Sequence, residues 1–269
     1  MTTLRQLTVQ TLTHLMAGGQ EKLPVDDEAR SILRQWMLDA RTSGGRAAVP
    51  EASGKSNTAD VMSVEEKLEF LRKKAAHWKP ALGLGTLRET MVFATGNPHA
   101  RLMLVGEAPG YDEERLGEPF VGKAGQLLNK ILTAMGLSRA EVYITNVCKF
   151  RPSMGAEQGT ANRAPTREEI AACLPLIMAE IRAIRPMCIL CLGGTSAKAL
   201  LGCDGSVSAL RGRWMECQGI PLRVTYHPSY LLRNESMGAR RSVWEDMLEV
   251  MVRLGMSISE RQQQYFLPQ

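Results

Sequence analysis

From about residue 88 the chain alternates short apolar runs with stretches of helical periodicity, and this rhythm leaves few folds open. The runs "LMLV" (102–105), "VYITNV" (142–147), "MCILCLG" (187–193) and "LRVTYH" (222–227) read as strands buried in a sheet. Between them "AGQLLNKILTAMG" carries Leu127, Leu128, Ile131, Leu132 and Met135 on one helical stripe. Thr166 and Glu169 cap a helix running to about Ile184, "TSAKALL" forms a helix stopped by Gly202, and "RRSVWEDMLEVMVRL" closes the series. "RWMECQG" reads as a hairpin strand. The pattern predicts an α/β fold, a three-layer α/β/α arrangement around a central, mostly parallel four-stranded sheet.

Polar residues interrupt these runs at one kind of place. Glu107 follows the first strand, Asn146 lies near the end of the second, "GGTS" follows the third and His227 ends the fourth. All four are carboxyl ends, the edge at which open α/β sheets bind ligands. A glutamate, an amide and an imidazole gathered there suit acid/base chemistry or the reading of a polar, planar ligand. The connection "VGEAPGYDEERLGEPFVGKAG" (105–125) adds a lone Phe120 among glycines and prolines but matches no phosphate-cradling pattern. Taken singly, each residue also has an ordinary reading: a bonded core histidine, a turn-capping asparagine, a core phenylalanine.

The first 41 residues hold two helical patterns, "LRQLTVQTLTHLM" and "DDEARSILRQWMLDAR", and predict an N-terminal helical extension. Residues 42–62 read as a flexible linker, and Ser63 and Glu66 form a capping box that opens a helix to about Trp78. The main domain is expected over 63–258, with 259–269 as a tail. At 44% apolar, with no apolar run long enough to span a bilayer and no signal-peptide pattern, the chain is expected in the cytoplasm, off the membrane and monomeric. The net charge of +5 permits a polyanionic partner without demanding one. Six arginines (211, 213, 223, 233, 240, 241) lie between Arg211 and Arg241, against Glu216 and Glu235. Six cysteines form no secreted disulfide framework, and the two of "CILC" (188–191) point to opposite faces of a strand, as buried core thiols.

"GEAPG" with "GEPFVGKAG", "YITNV", "NRAPTREE", "LGGTSAKALLG", "LRGRW", "YHPSYLLRN" and "VWEDM", in that order from about Leu87 to Leu254, resemble the uracil-DNA glycosylase superfamily, and specifically its family 4. The resemblance implies DNA containing uracil as the substrate, a base flipped into a pocket, hydrolysis of its N-glycosidic bond, and other base excision repair proteins as further partners. Carried over position by position, it makes Phe120 the aromatic that stacks on uracil and Asn146 the amide that reads its edge. Gly106, Ala108 and Gly110 supply backbone near base and sugar. His227 donates to O2 of the leaving base, and Glu107 orients water or steadies the cationic sugar. Ser229 is expected to hold a phosphate, Leu231 and Leu232 to wedge into the stack, and Arg233 to lie near the backbone; the basic stretch around them then faces DNA. Alternatives are a base-binding member without turnover and a glycosylase for another deaminated base.

Family 4 members typically hold a [4Fe–4S] cluster on four cysteines, and here the sequence departs from the pattern. Lys79, Leu82 and Phe150 stand at three of the ligand positions, and Cys173 alone is retained. No cofactor and no metal are therefore expected, with Phe150 and Leu82 filling the space by apolar packing. Cys148, two residues from Phe150, is expected to point elsewhere.

Overall fold

The computed structural model describes residues 62–267; the two helical patterns of residues 1–41 and nearly all of the linker lie outside them. Helix α1 (Val64–Ala76) starts where the capping box requires: Glu66 N–H donates to Ser63 Oγ at 3.1 Å, and Ser63 N–H donates to the Glu66 carboxylate at 2.7 Å. A short α2 (Lys79–Leu82) leads into β1 (Leu87–Met91), β2 (Ala94–Gly96) and β3 (Leu102–Gly106). There follow α3 (Tyr111–Leu116), α4 (Lys123–Met135), β4 (Tyr143–Asn146) and β5 (Phe150–Pro152). The second half runs α5 (Arg167–Ile184), β6 (Cys188–Leu192), α6 (Gly194–Leu201), α7 (Val207–Leu210), β7 (Met215–Cys217) and β8 (Ile220–Thr225), then α8 (Pro228–Arg233), α9 (Met237–Arg253) and α10 (Glu260–Gln263).

The central sheet has the order β2-β4-β3-β6-β8-β7. Its four inner strands are parallel and are the four apolar runs of the sequence; β2 and β7 add antiparallel edges, making six strands where four were expected. The edge strand β2 has no apolar run to mark it in the sequence, since "ATG" is only half-buried to exposed. A separate antiparallel pair joins β1 to β5.

Strand alternation divides the interior into two cores. Met103, Val105, Tyr143, Ile189, Cys191, Leu222 and Val224 face α1, α5 and α6, where Leu68, Cys173, Ile177, Ile181 and Leu200 meet them. Leu102, Leu104, Ile144, Cys188, Leu190 and Leu192 face the other way, onto Leu128, Leu132 and Met135 of α4 and Val243, Trp244 and Met247 of α9. The two cysteines of "CILC" thus fall in different cores, both fully buried. Residues 259–267, within the stretch expected as a tail, pack against α9. Ser259 and Gln262 form a capping box, Trp244 Nε1 donates to the Gln262 carbonyl at 2.6 Å, and the Tyr265 ring lies 5.1 Å from that of Trp244.

Register fixes the functional edge. Gly106 pairs with Asn146, Val105 with Cys191, and Leu192 with Thr225. The last residues of the four parallel strands therefore lie side by side, and whatever follows them is brought together.

Candidate active site

A cavity of about 510 Å³ opens at this edge, lined among others by Glu107, Ala108, Gly110, Phe120, Asn146, His227, Ser229 and Arg233. Beyond the strands the pairing of β3 with β4 continues into the loops: Val147 N–H donates to the Gly106 carbonyl at 3.1 Å, and Cys148 N–H to that of Glu107 at 3.0 Å. The Glu107 loop and the Asn146 loop are therefore one hydrogen-bonded unit. Gly106 lies beneath them, where a Cβ would sit 2.3 Å from Asn146 Oδ1 and 2.5 Å from the Phe120 ring. Only glycine leaves room for both side chains there.

Phe120 is buried and adopts φ 56°, a left-handed conformation uncommon for a bulky residue and maintained by what surrounds it. Two clamps supply that restraint. The Glu113 carboxylate accepts from the N–H groups of Gly110, Val121 and Gly122 at 3.0–3.1 Å. From the other side the Arg139 guanidinium donates to the carbonyls of Pro119 (2.7 Å) and Phe120 (3.0 Å) and to Glu118 (2.8 Å). The ring ends 5.7 Å from the His227 imidazole, tilted by 33°.

His227 is the N-cap of α8. Ser229 N–H donates to its Nδ1 at 3.1 Å, and Ser229 Oγ lies 2.8 Å from the same atom. A backbone N–H can only donate, so Nδ1 is the acceptor and the ring proton sits on Nε2. Burial, and then the Arg233 cation, pull the imidazole pKa down to about 4, so the ring is neutral at physiological pH. The amide and the hydroxyl of Ser229 both lie against His227 Nδ1, at the rim of the cavity.

Burial raises the pKa of Glu107, opposed by a hydrogen bond from Thr195 in the "GGTS" turn. Leu231 and Leu232 are placed differently: Leu231 is buried in the α4–α9 core, and Leu232, 44% exposed, faces outward. Neighbouring residues of a helix point about 100° apart, so one must turn inward. The arginine-rich stretch is also partly internal. Arg211 and Arg223 both ion-pair with the fully buried Asp246, at 2.9 and 3.0 Å, and Arg241 pairs with Glu245. The exposed Arg233 is the member of the stretch that lines the cavity.

Asn162, Arg163 and Glu113 also line the cavity and were given no role on sequence grounds. The motif "NRAPTREE" marked the segment, but its geometry depends on Arg151. That buried guanidinium donates to Asn162 Oδ1 at 2.9 Å, to the carbonyls of Gly159 and Ala161, and to Glu114, winding the 153–161 loop around itself.

Around Cys173 the residues do not suit an iron–sulfur cluster. Phe150 is fully buried and Leu82 packs against the same core as Cys173, while Lys79 sits at the start of α2. Among the described residues no group of three or more His, Cys, Asp or Glu is placed to hold a metal. Cys148, contrary to expectation, meets Cys173. That neighbouring sulfur, together with burial, pushes the Cys148 thiol far above its ordinary range, so it stays protonated. Two thiols are half of what a cluster needs.

The model of the Uracil DNA glycosylase superfamily matches residues 93–248, the stretch that supplies most of both cores and the lining of the cavity. The chain belongs to this superfamily. A Type-4 uracil-DNA glycosylase of Thermotoga maritima is 42% identical over 188 residues, covering 68% of this chain and 92% of that protein. One of Archaeoglobus fulgidus is 41% identical over 145 residues, covering 51% and 69%. A Type-5 uracil-DNA glycosylase of Pyrobaculum aerophilum is more distant, at 31% over 175 residues. Within the superfamily the chain stands with family 4. No helix among the described residues is long and apolar enough to cross a membrane.

Proposed function

We propose that this family 4 uracil-DNA glycosylase takes deoxyuridine flipped out of DNA and hydrolyses its N-glycosidic bond, leaving uracil and an abasic site. The observation that carries the reading is the meeting of Glu107, Phe120, Asn146 and His227 around one cavity at the carboxyl edge of the sheet. The flipped base stacks on Phe120 and presents its edge to Asn146, whose oxygen accepts from N3–H and whose NH₂ donates to O4. Cytosine reverses both polarities and leaves the amide mispaired. As the C1′–N1 bond breaks, N1 keeps the electron pair and charge spreads onto O2. The neutral His227 donates from Nε2 to that oxygen. The Glu107 carboxylate faces the cationic sugar and orients the water whose oxygen bonds C1′; the proton that this water sheds ends on the departing uracil anion. Gly106, Ala108 and Gly110 bring the loop backbone close to base and sugar. Leu232 enters the gap left in the stack, Arg233 lies by a phosphate, and Ser229 fixes the tautomer of His227.

The protein works without an iron–sulfur cluster, since Lys79, Leu82 and Phe150 replace three ligands and the buried pair Cys148 and Cys173 is filled around by apolar packing. Incubation with uracil-containing single- and double-stranded oligonucleotides, followed by alkaline cleavage of abasic sites, tests the activity. Scission is expected on uracil substrates only. His227→Ala should slow it by about 100- to 1,000-fold, the loss seen when one oxyanion donor is removed. No scission on any uracil substrate refutes the reading.

A further inference from the structure

The side of β4 turned away from the cavity carries an unusual group. Lys149 and Glu180 have no solvent exposure, and their ammonium and carboxylate are ion-paired inside the α5 core. Lys149 Nζ also donates to Thr145 Oγ1 at 2.5 Å and to the backbone carbonyl of Asn146 at 2.9 Å. Glu180 Oε2 accepts from the Tyr143 hydroxyl at 2.9 Å and lies 3.0 Å from Thr145 Oγ1. Buried ion pairs are commonly no more stabilising than apolar side chains of the same volume, so fold stability alone does not account for this one.

Its location suggests what it does. Tyr143 and Thr145 alternate with Asn146 along β4, so their side chains lie on the opposite face of the sheet from the Asn146 side chain. The ammonium therefore holds the Asn146 peptide from behind, while the carboxamide faces the cavity in front. In front, the carboxamide has little of its own to fix it beyond the close approach of Gly106. An amide that must keep its oxygen on N3–H and its NH₂ on O4 depends on the angle at which its backbone presents it, and displacements near 1 Å are costly in such sites.

We propose that Lys149, supported by Thr145 and Glu180, is a positioning residue for base selection, acting through Asn146; the inference rests on Asn146 being the base reader. It treats a buried charge as the rear anchor of the recognition amide. Lys149 and its partners touch no part of the substrate.

The test compares Thr145→Val, which keeps shape and removes the hydroxyl, with Thr145→Ser, which restores it, and with the double variant Lys149→Met/Glu180→Gln. Each is assayed for melting temperature, for single-turnover cleavage of a deoxyuridine oligonucleotide, and for affinity towards free uracil. Thr145→Val should lose about tenfold in both cleavage rate and uracil affinity, the size of one hydrogen bond, and Thr145→Ser should stay within about twofold of the parent. The double variant should show the same losses while remaining folded at the assay temperature. A purely structural role shifts melting temperature alone. Parent-like uracil affinity and rate in both Thr145→Val and the double variant, alongside their loss in Asn146→Ala, overturns the anchor and keeps the base reader. Unchanged uracil affinity in Asn146→Ala overturns both.

Discussion

Gly125 offers the sharpest test of how the stacking surface is built. It lies in the first turn of α4, where propensity alone predicts that alanine stabilises the helix by about 1 kcal/mol. The structure predicts the opposite. A Cβ on Gly125 would lie 1.8 Å from the Phe120 carbonyl oxygen and 2.0 Å from its carbon. Ordinary contact begins at 3.4 Å, so Phe120 or the helix must move by roughly 1.6 Å. Both obstructing atoms are backbone, and the oxygen is the one that accepts from Arg139, so no side-chain rotation relieves the clash. Forcing a methyl into such a site costs about 1–3 kcal/mol, and a stacking ring displaced by more than 1 Å costs about 100-fold in rate. Gly125→Ala should therefore melt lower than the parent and cleave a uracil oligonucleotide about 100-fold more slowly, when assayed well below its own melting temperature. Gly136→Ala, at φ +85° with nothing within 4 Å, serves as a comparison that introduces strain far from the ring. A Gly125→Ala protein that is more stable than the parent and cleaves at the parent rate would show that Phe120 is not held against α4 as described.

Two further outcomes follow from the site. The folded state holds the His227 pKa at about 4 against an unfolded value near 6.5, so between these values the unfolded chain binds the proton first. Stability should fall as pH drops from about 6.5 towards 4, by at most about 1.4 kcal/mol per unit, and should gain nothing from this group above pH 7. Urea midpoints of the parent and of His227→Gln, measured across this window, check the point; parallel pH dependences refute it. Purified protein should contain no stoichiometric iron by metal analysis and should lack broad visible absorption, and iron approaching four atoms per chain with such absorption would refute the clusterless assignment.

What the sequence disclosed and what it hid differ in physical kind. The parallel strands and the edge that gathers Glu107, Asn146 and His227 were legible because a strand buried on both faces must be apolar throughout, so a polar residue at its end stands out. The helix of α5 was legible to the residue at its start, because Thr166 and Glu169 satisfy each other's backbone locally. Hidden features depend on partners far along the chain. Glu113 and Arg139 grip the Phe120 loop from different helical segments, and Arg151 gathers acceptors from a loop of no fixed pattern. Leu231 and Leu232 are chemically alike and differ only in which way α8 turns them. Cys148 reaches Cys173 because α5 crosses behind β4, and no spacing rule encodes that crossing.

The two clamps on Phe120 carry an implication for the energetics of recognition. A ring held in a left-handed backbone by Glu113 and Arg139 is immobilised before any ligand arrives, so the entropy of ordering that surface is charged to folding. The free energy still required when a base enters is then mainly that of unstacking it from its own neighbours. Under the proposed function, such a site discriminates among nucleotides by how readily each leaves its strand as well as by the hydrogen bonds it makes on arrival.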